Sequence, residues 1–392
     1  MRRAWITLAA VSALFFLVTA TTFTSLGVVL PAMVAELHWN WTGAGAGFSL
    51  LGVFCGLTST VPALLIRRFG VRMTLAAGSV VMAAAFVSLS VTQGLALYFL
   101  GCSLAGLGFT LLATVPGTYL LARLFPRPDF AFGIYFTIGG LGGVIGPQSY
   151  LWMIGVSGDW RSFWLMAGAA VALAGFAGAA VVDVTTDVGA GGQTDDAIAP
   201  EGWTARAALR TPQFAVLAAA YSIFLFVGIT ANAMAVAHLE HRGVALALAA
   251  RIMSLEAFLN AGSRFLGGAL TRLIDARHLL LLALGLLILG LLALSMAKDL
   301  PAMLVFAGGI GIGYGLTFFA STILLLDYFG RGPNLELFSA VNLISTIGAV
   351  GPAFAGFIAD RTGSFVPAFL ILAGVTVLVL LSVALMRRPV RV

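Results

Sequence analysis

Ala63 to Arg72, ALLIRRFGVR, and a second decapeptide 205 residues later, Gly268 to Arg277, GALTRLIDAR, decide how this chain folds. Each is a short basic turn between two long apolar runs, with Arg67 and Arg72 in the first matched by Arg272 and Arg277 in the second. The same offset runs without a gap from Arg67 to Pro147. It pairs Gly106 with Gly311, Gly108 with Gly313, Pro128 with Pro333, and Gly143, Gly146 and Pro147 with Gly348, Gly351 and Pro352. Glycine is abundant, so the Gly pairs alone carry little weight; paired Arg and Pro at one offset are hard to obtain by chance. The chain therefore reads as two halves of one repeat.

The residues around these turns fix the solvent. Of 392 residues 60% are hydrophobic and 9% charged, with a mean hydropathy of +1.06, whereas soluble domains carry roughly 25% charge. A soluble enzyme, a secreted domain and a peripheral anchor are excluded. At about 20 apolar residues per crossing, apolar segments fall near 5–30, 44–66, 73–92, 96–121, 131–153, 162–182, 213–236, 247–271, 278–296, 301–326, 337–358 and 365–386. The expected fold is all-α: twelve transmembrane helices in two six-helix pseudo-repeats. Arg2 and Arg3 before an apolar stretch imitate a secretory signal, but the stretch is too long and lacks a cleavage site, so it reads as the first span.

Sorting the loops by side gives fifteen basic residues on one, from Arg2 to Arg391, against Arg161, Arg242, Arg251, Lys298 and Arg361 on the other. By the positive-inside rule the richer side, with both termini, is cytoplasmic. The net charge of +6 thus reports topology and not a nucleic-acid partner. The long polar connection from Asp183 to Pro212 separates an N-terminal bundle (1–182) from a C-terminal one (213–392), and its end, Trp203 to Arg210, suits a short interfacial helix. Cys55 and Cys102 lie inside apolar runs without metal or disulfide spacing. Two bundles in parallel repeat are the arrangement of transporters that rock about a midplane site.

The turns also carry a family likeness. The chain resembles the major facilitator superfamily over essentially its whole length: Arg67, Arg68, Gly70 and Arg72 resemble its loop signature after helix 2, and Arg272 with Arg277 its second copy after helix 8. Both copies place Arg67 and Arg272 where an acid is usual, so the cytoplasmic latch that the resemblance implies lacks its usual chemistry. Gly133 through Gly142, Gly146 and Pro147 partly resemble the helix-5 motif of drug/proton antiporters, but Tyr150 and Leu151 replace its closing Gly pair. A closer resemblance is to prokaryotic relatives of the monocarboxylate porters and oxalate/formate exchangers. It rests on Gly27 to Pro31 with His38-Trp39, Tyr119 to Gly133, Asp159-Trp160-Arg161, and Ala237-His238-Leu239 followed by Arg264.

An ionisable side chain retained inside the hydrocarbon is a functional candidate, and only Glu256 and Arg264 qualify. With Asn260 between them in steps of four, they lie along one side of helix 8. Their separation of about 12 Å is too long for a direct ion pair without bending. In the resembling porters helix 8 carries an Asp one turn before the Arg; the resemblance puts that Asp on Asn260, which cannot take up a proton, so a coupling role moves to Glu256. Arg264 suits a substrate carboxylate because its guanidinium offers two parallel donors and stays charged. The competing reading is a structural brace. Glu256 is either a proton-binding carboxylate or an outer-half residue that reaches external water or Arg251. Tyr119, Tyr135, Gln148, Tyr314 and Asn342 are expected to complete a substrate cavity, and Tyr221 and Asn232 are further candidates. The competing role for Tyr near a helix end is interfacial anchoring, and that of Thr21, Thr22 and Thr24 is bonding to their own helix.

Helix 11 has no Lys, where dicarboxylate exchangers in the resembling group use a second cation, so one interior cation argues for a monoanion. The absence of a mid-depth acid in helices 1 and 4 disfavours a pump for cationic drugs. The sequence contains no nucleotide-binding motif, zinc spacing or nucleophile triad, so neither a cofactor nor a metal is expected. The resulting expectation is a secondary transporter, not an enzyme, functional as a monomer in a bacterial inner membrane, moving a small organic monocarboxylate with protons. Arg264 and Glu256 would serve substrate and proton, and the Arg67 and Arg272 turns the conformational change. The alternatives are an exporter of amphipathic or aromatic compounds and a transporter-like receptor that binds without moving its ligand.

Overall fold

The computed structural model describes residues 2–125, 129–182, 203–270, 274–330 and 333–389, and among them the only regular structure is helical. The N-terminal half contains α1 (Arg2–Thr21), α2 (Phe23–Leu37), α3 (Trp41–Leu57), α4 (Val61–Ser90), α5 (Leu95–Leu112), α6 (Thr114–Leu124), α7 (Asp129–Ser157) and α8 (Trp160–Val181). After α9 (Ala205–Leu209), the C-terminal half contains α10 (Pro212–His241), α11 (Leu246–Leu270), α12 (Ala276–Met296), α13 (Leu300–Phe329), α14 (Asn334–Ser345), a 3-10 turn (Thr346–Val350), α15 (Gly351–Thr362) and α16 (Val366–Leu385). Ten helical stretches among the described residues are long and apolar enough to cross a membrane, and Trp41–Leu57 is a shorter apolar one. With α11, which carries Arg251, Glu256 and Arg264, these supply the twelve spans.

Several spans are broken where sequence patterning showed continuous apolar runs. The first breaks at Thr22, whose hydroxyl donates to the Val18 carbonyl at 2.8 Å, a local bond that competes with the helix. The fourth breaks at Ala113, three residues before Pro116; proline has no amide to return to the preceding turn. The eleventh tightens into the 3-10 turn just before Pro352 for the same reason. The second span runs from Trp41 through a turn at Thr58 into the start of α4, and the chain reverses at Gly70, whose φ of 80° only glycine adopts without strain. Gly70 is therefore what lets the Arg67–Arg72 turn be so short. Of the matching turn, Arg272 lies outside the described residues, as do Pro128 and residues 183–202.

The repeat is legible in atomic contacts. A Cβ on Gly106 would lie 2.4 Å from the Leu51 carbonyl, and one on Gly311 would lie 2.5 Å from the Glu256 carbonyl. Both members of the second pair are 205 residues beyond the first. Gly108 against Met82 and Gly313 against Leu287 repeat the same relation. Lipid supplies no hydrophobic drive between helices, so close backbone approach over glycine is a main source of cohesion.

The two bundles meet through one half of the membrane. α2 packs on α10, α3 on α15 and the 3-10 turn, and α7 on α11. By the charge rule this is the external half, because it joins the amino end of α3 to the carboxyl end of α15. A Cβ on Gly27 would fall 1.7 Å from the Asn232 carbonyl, on Gly45 2.2 Å from the Pro352 carbonyl and on Gly52 2.8 Å from the Ala349 Cβ. By contrast α1 and α6, the cytoplasmic halves of the first and fourth spans, find their packing partners within the N-terminal bundle. The cleft between the bundles is closed outside and opens inward.

Candidate functional site

Span 8 brings the polar stripe into this cleft. Gly311 and Gly315 on α13 allow α11 to approach so closely that a Cβ on Gly315 would lie 2.6 Å from the Asn260 carbonyl and 3.1 Å from Arg264 Cγ. The close contact fixes which way the stripe faces. Arg264 Nε donates to Asn260 Oδ1 at 3.0 Å, and its guanidinium carbon sits 5.0 Å from the centre of the Phe318 ring and 5.5 Å from that of Tyr314. The side chain is nonetheless exposed. A charge facing lipid at mid-span costs about 2.5–3.5 kcal/mol, a cost avoided on the side of α11 turned toward the Tyr314 and Phe318 rings of α13, where Arg264 lies. Asn260 uses its oxygen to hold Nε, and among the described residues no hydrogen bond engages the terminal nitrogens.

Glu256, two turns toward the outside, is buried at 2% exposure. Among the described residues no ion pair joins it to Arg264 or to Arg251, which is exposed. The Arg264 guanidinium overlies the Tyr314 ring, and the Tyr221 ring packs against Phe318, the other ring beside that guanidinium. Tyr221 is also 3.5 Å from Asn342 Oδ1, while the Asn342 amide nitrogen donates to the Phe338 carbonyl at 2.8 Å. Rings complete the wall: Tyr314 against Phe224 at 4.7 Å, and Tyr221 against Phe318 and Phe338 at 6.0 and 6.1 Å. Asn260, Arg264, Tyr314 and Asn342 thus gather in one region of the C-terminal bundle, around the buried Tyr221.

The remaining expected positions are placed elsewhere. Tyr135 is fully buried and donates its hydroxyl to the Ala113 carbonyl at 2.8 Å. It satisfies a backbone group at the break of the fourth span, as a nonpolar medium requires, and Gly117 leaves room for it. Tyr119 carries the Arg123 guanidinium 4.3 Å over its ring near the cytoplasmic end of α6, the interfacial arrangement. Gln148 donates to Ser254 at 3.1 Å, and Ser254 to the Val144 carbonyl at 2.7 Å; this joins the bundles above the cleft. Thr21 and Thr22 bond their own helix, whereas Thr24 reaches Asn232 Oδ1 at 3.3 Å and helps roof the cleft. Arg67, Arg68 and Arg72 are exposed. Arg277 is anchored differently, through Nε to the Val383 carbonyl at 3.2 Å and a second bond to the Ala384 carbonyl. His238 is buried with Nε2 2.9 Å from the Leu294 carbonyl.

Sequence patterning missed Phe318, because the chain has 29 Phe and nothing marks the one that faces a charge. Spacing from Arg264 gives no clue to partners on span 10. For Ser254 a signal existed: it lies two residues before Glu256 on the same polar stretch.

Two bundles in parallel repeat around a cleft, closed at one membrane face and lined at mid-depth by a charged helix, are the architecture of an alternating-access membrane transporter. The model of the Major Facilitator Superfamily matches residues 12–350, and the chain belongs to that superfamily. It is a multi-pass membrane protein of transporter type. Among solved structures it is similar to the nucleoside transporter NupG, in mutant form, with a TM-score of 0.78 and 12% identity over 96% of this chain and 99% of that one. It is also similar to a bacterial homologue of the human lysosomal transporter Spinster. In the inward-facing unoccupied conformation the TM-score is 0.73 with 17% identity over 97% and 95% of the two chains. In the inward-facing occupied one it is 0.73 with 16% identity over the same shares. These likenesses show the fold. No curated protein sequence matches the chain.

Proposed function

We propose that the protein is a secondary active transporter that moves a small organic monocarboxylate by alternating access, coupled to protons. The observation that carries the reading is Arg264: a lone cation at mid-depth, open to the inward cleft, with its Nε held by Asn260 and its terminal nitrogens free to form two parallel bonds to a carboxylate. No second cation stands beside it among the described residues of the wall, which suits one negative charge. Glu256, buried and without a described counter-ion, is the group to bind the coupled proton. The resemblance to monocarboxylate porters supports the same assignment. The rings of Tyr314 and Phe318 beside Arg264 favour, within this reading, an anion with an apolar body. They equally support a second reading, an exporter of amphipathic or aromatic compounds, for which Arg264 would be dispensable.

Uptake of a labelled panel into proteoliposomes, with and without an inside-alkaline gradient and corrected with empty liposomes, tests the proposal. The panel should contain formate, lactate, pyruvate and benzoate. Saturable uptake of any member, driven above equilibrium by the gradient, is expected. No protein-dependent uptake of any member by folded protein would discard the monocarboxylate reading.

A further inference from the structure

The outer ends of the bundles share a contact that substrate binding does not use. Asp360, in the last turn of α15, sends its carboxylate across the bundle boundary to the first turn of α3. One oxygen accepts from the Trp41 amide at 2.9 Å; the other accepts from the Thr42 amide at 2.8 Å and the Thr42 hydroxyl at 2.5 Å. The first amides of a helix have no partner within it and carry its positive end. The residue that would normally cap α3 is already engaged, since Asn40 Oδ1 accepts from the Gly43 amide at 2.8 Å. Two of the first-turn donors of α3 therefore depend on a residue more than 300 positions away in the other half of the chain.

The surroundings are shaped for this contact. Gly356, one turn before Asp360, would place a Cβ 2.0 Å from the Trp41 carbonyl, so a larger residue would hold the helices too far apart. The Trp41 ring lies 5.4 Å from His241 and 5.1 Å from Phe365, both of the C-terminal bundle. The repeat has no counterpart: Gly155 lies as far beyond Pro147 as Asp360 lies beyond Pro352, and it has no side chain to offer. The α3–α15 seam is latched by a charge, whereas the α7–α11 seam is joined by Gln148 and Ser254. Alternating access must part α3 from α15, so every one of these bonds is made in the inward-open state and lost in the outward-open state.

We infer that Asp360 is a positioning residue of the transport cycle, capping the amino end of α3 across the bundle boundary and so holding the outer side shut while the cleft faces inward. It touches no substrate group and acts through the balance between the two open states. Removing it should raise the ratio of outward-open to inward-open molecules about tenfold, equivalent to about 1.4 kcal/mol.

The test is a spin-label distance between Gln93 and Lys298, exposed at the outer ends of the N- and C-terminal bundles, each replaced by cysteine after removal of Cys55 and Cys102. With Asp360 present a short distance should dominate. Asp360→Ala should enlarge a longer-distance population about tenfold, with Asp360→Asn, which keeps the shape and one acceptor, between the two. Thr42→Ala removes only the hydroxyl donor and should shift the distribution the same way by less. Combined with Asp360→Ala it should add nothing. Wild-type distances in both folded Asp360 variants, a full extra effect of Thr42→Ala on the Asp360→Ala background, or outer ends already apart with Asp360 present would each overturn the inference.

Discussion

The two halves share a framework and differ in what it carries. Where Gly311 of the C-terminal half packs on the backbone of Glu256, Gly106 of the N-terminal half packs on that of Leu51. Carried along the two helices, the same correspondence sets Asn260 against Cys55, Arg264 against Ser59 and Tyr314 against Phe109. The N-terminal members are what a membrane helix needs for packing alone: Cys55 Sγ approaches the Gly106 carbonyl at 3.4 Å, and Phe109 packs on Phe15 and Phe23. The C-terminal members add a carboxylate, an amide, a guanidinium and a phenol at the same backbone sites. Glycine contacts and helix lengths are thus a property of the repeat, whereas chemistry was placed in one copy.

That contrast predicts which changes matter. The largest effect belongs to Arg264→Ala, which removes the two donors without a replacement. Hydrogen bonds to a charged group contribute about 1.5–3 kcal/mol, so uptake of the transported anion should fall about ten- to a hundredfold with expression intact. Arg264→Lys, which keeps charge but not the planar fork, should fall between, and uptake that survives either substitution unchanged would remove Arg264 from the site. Glu256→Leu converts this site to its N-terminal counterpart. It should abolish gradient-driven accumulation and spare exchange of labelled for unlabelled substrate; equal loss of both would make Glu256 structural or part of the substrate site.

A smaller effect is expected on the seam between halves. Gly27→Ala puts a methyl 1.7 Å from the Asn232 carbonyl, and such overpacking costs about 1–3 kcal/mol against the closed outer side. Turnover should fall while equilibrium binding of substrate from the external side is retained, and a wild-type turnover would show that the seam does not need the contact. The smallest effect is that of Tyr135→Phe. Leaving the Ala113 carbonyl unpaired should lower thermal stability by about 1 kcal/mol without changing substrate affinity, measured by unfolding in detergent and by uptake. A change in affinity would return Tyr135 to the binding site.

The spans, their orientation and the repeat were legible because they depend on averages over about 20 residues and on paired Arg, Gly and Pro at one offset. The polar stripe was legible because an ionisable residue is conspicuous in hydrocarbon. What stayed hidden depends on single bonds between distant segments. The role of Tyr135 requires knowing that the fourth span breaks at Ala113, for which Pro116 was the only sign. Gln148 looked like a cavity residue because its partner, Ser254, is 106 positions away. Asp360 reads as an ordinary loop acid until α15 is seen beside α3. The rings around Arg264 come from spans whose facing is set by Gly228, against which Tyr314 packs, and no periodicity in the sequence selects them from the other phenylalanines.

The central claim, that the C-terminal half holds the anion through Arg264, is tested most directly by comparing benzoate with benzamide, its uncharged counterpart, for wild type and Arg264→Ala in the same proteoliposomes. The account predicts saturable benzoate uptake by the wild type, none of benzamide, and loss of benzoate uptake in the variant. Benzamide carried as well as benzoate, or benzoate carried equally by both proteins, would contradict it.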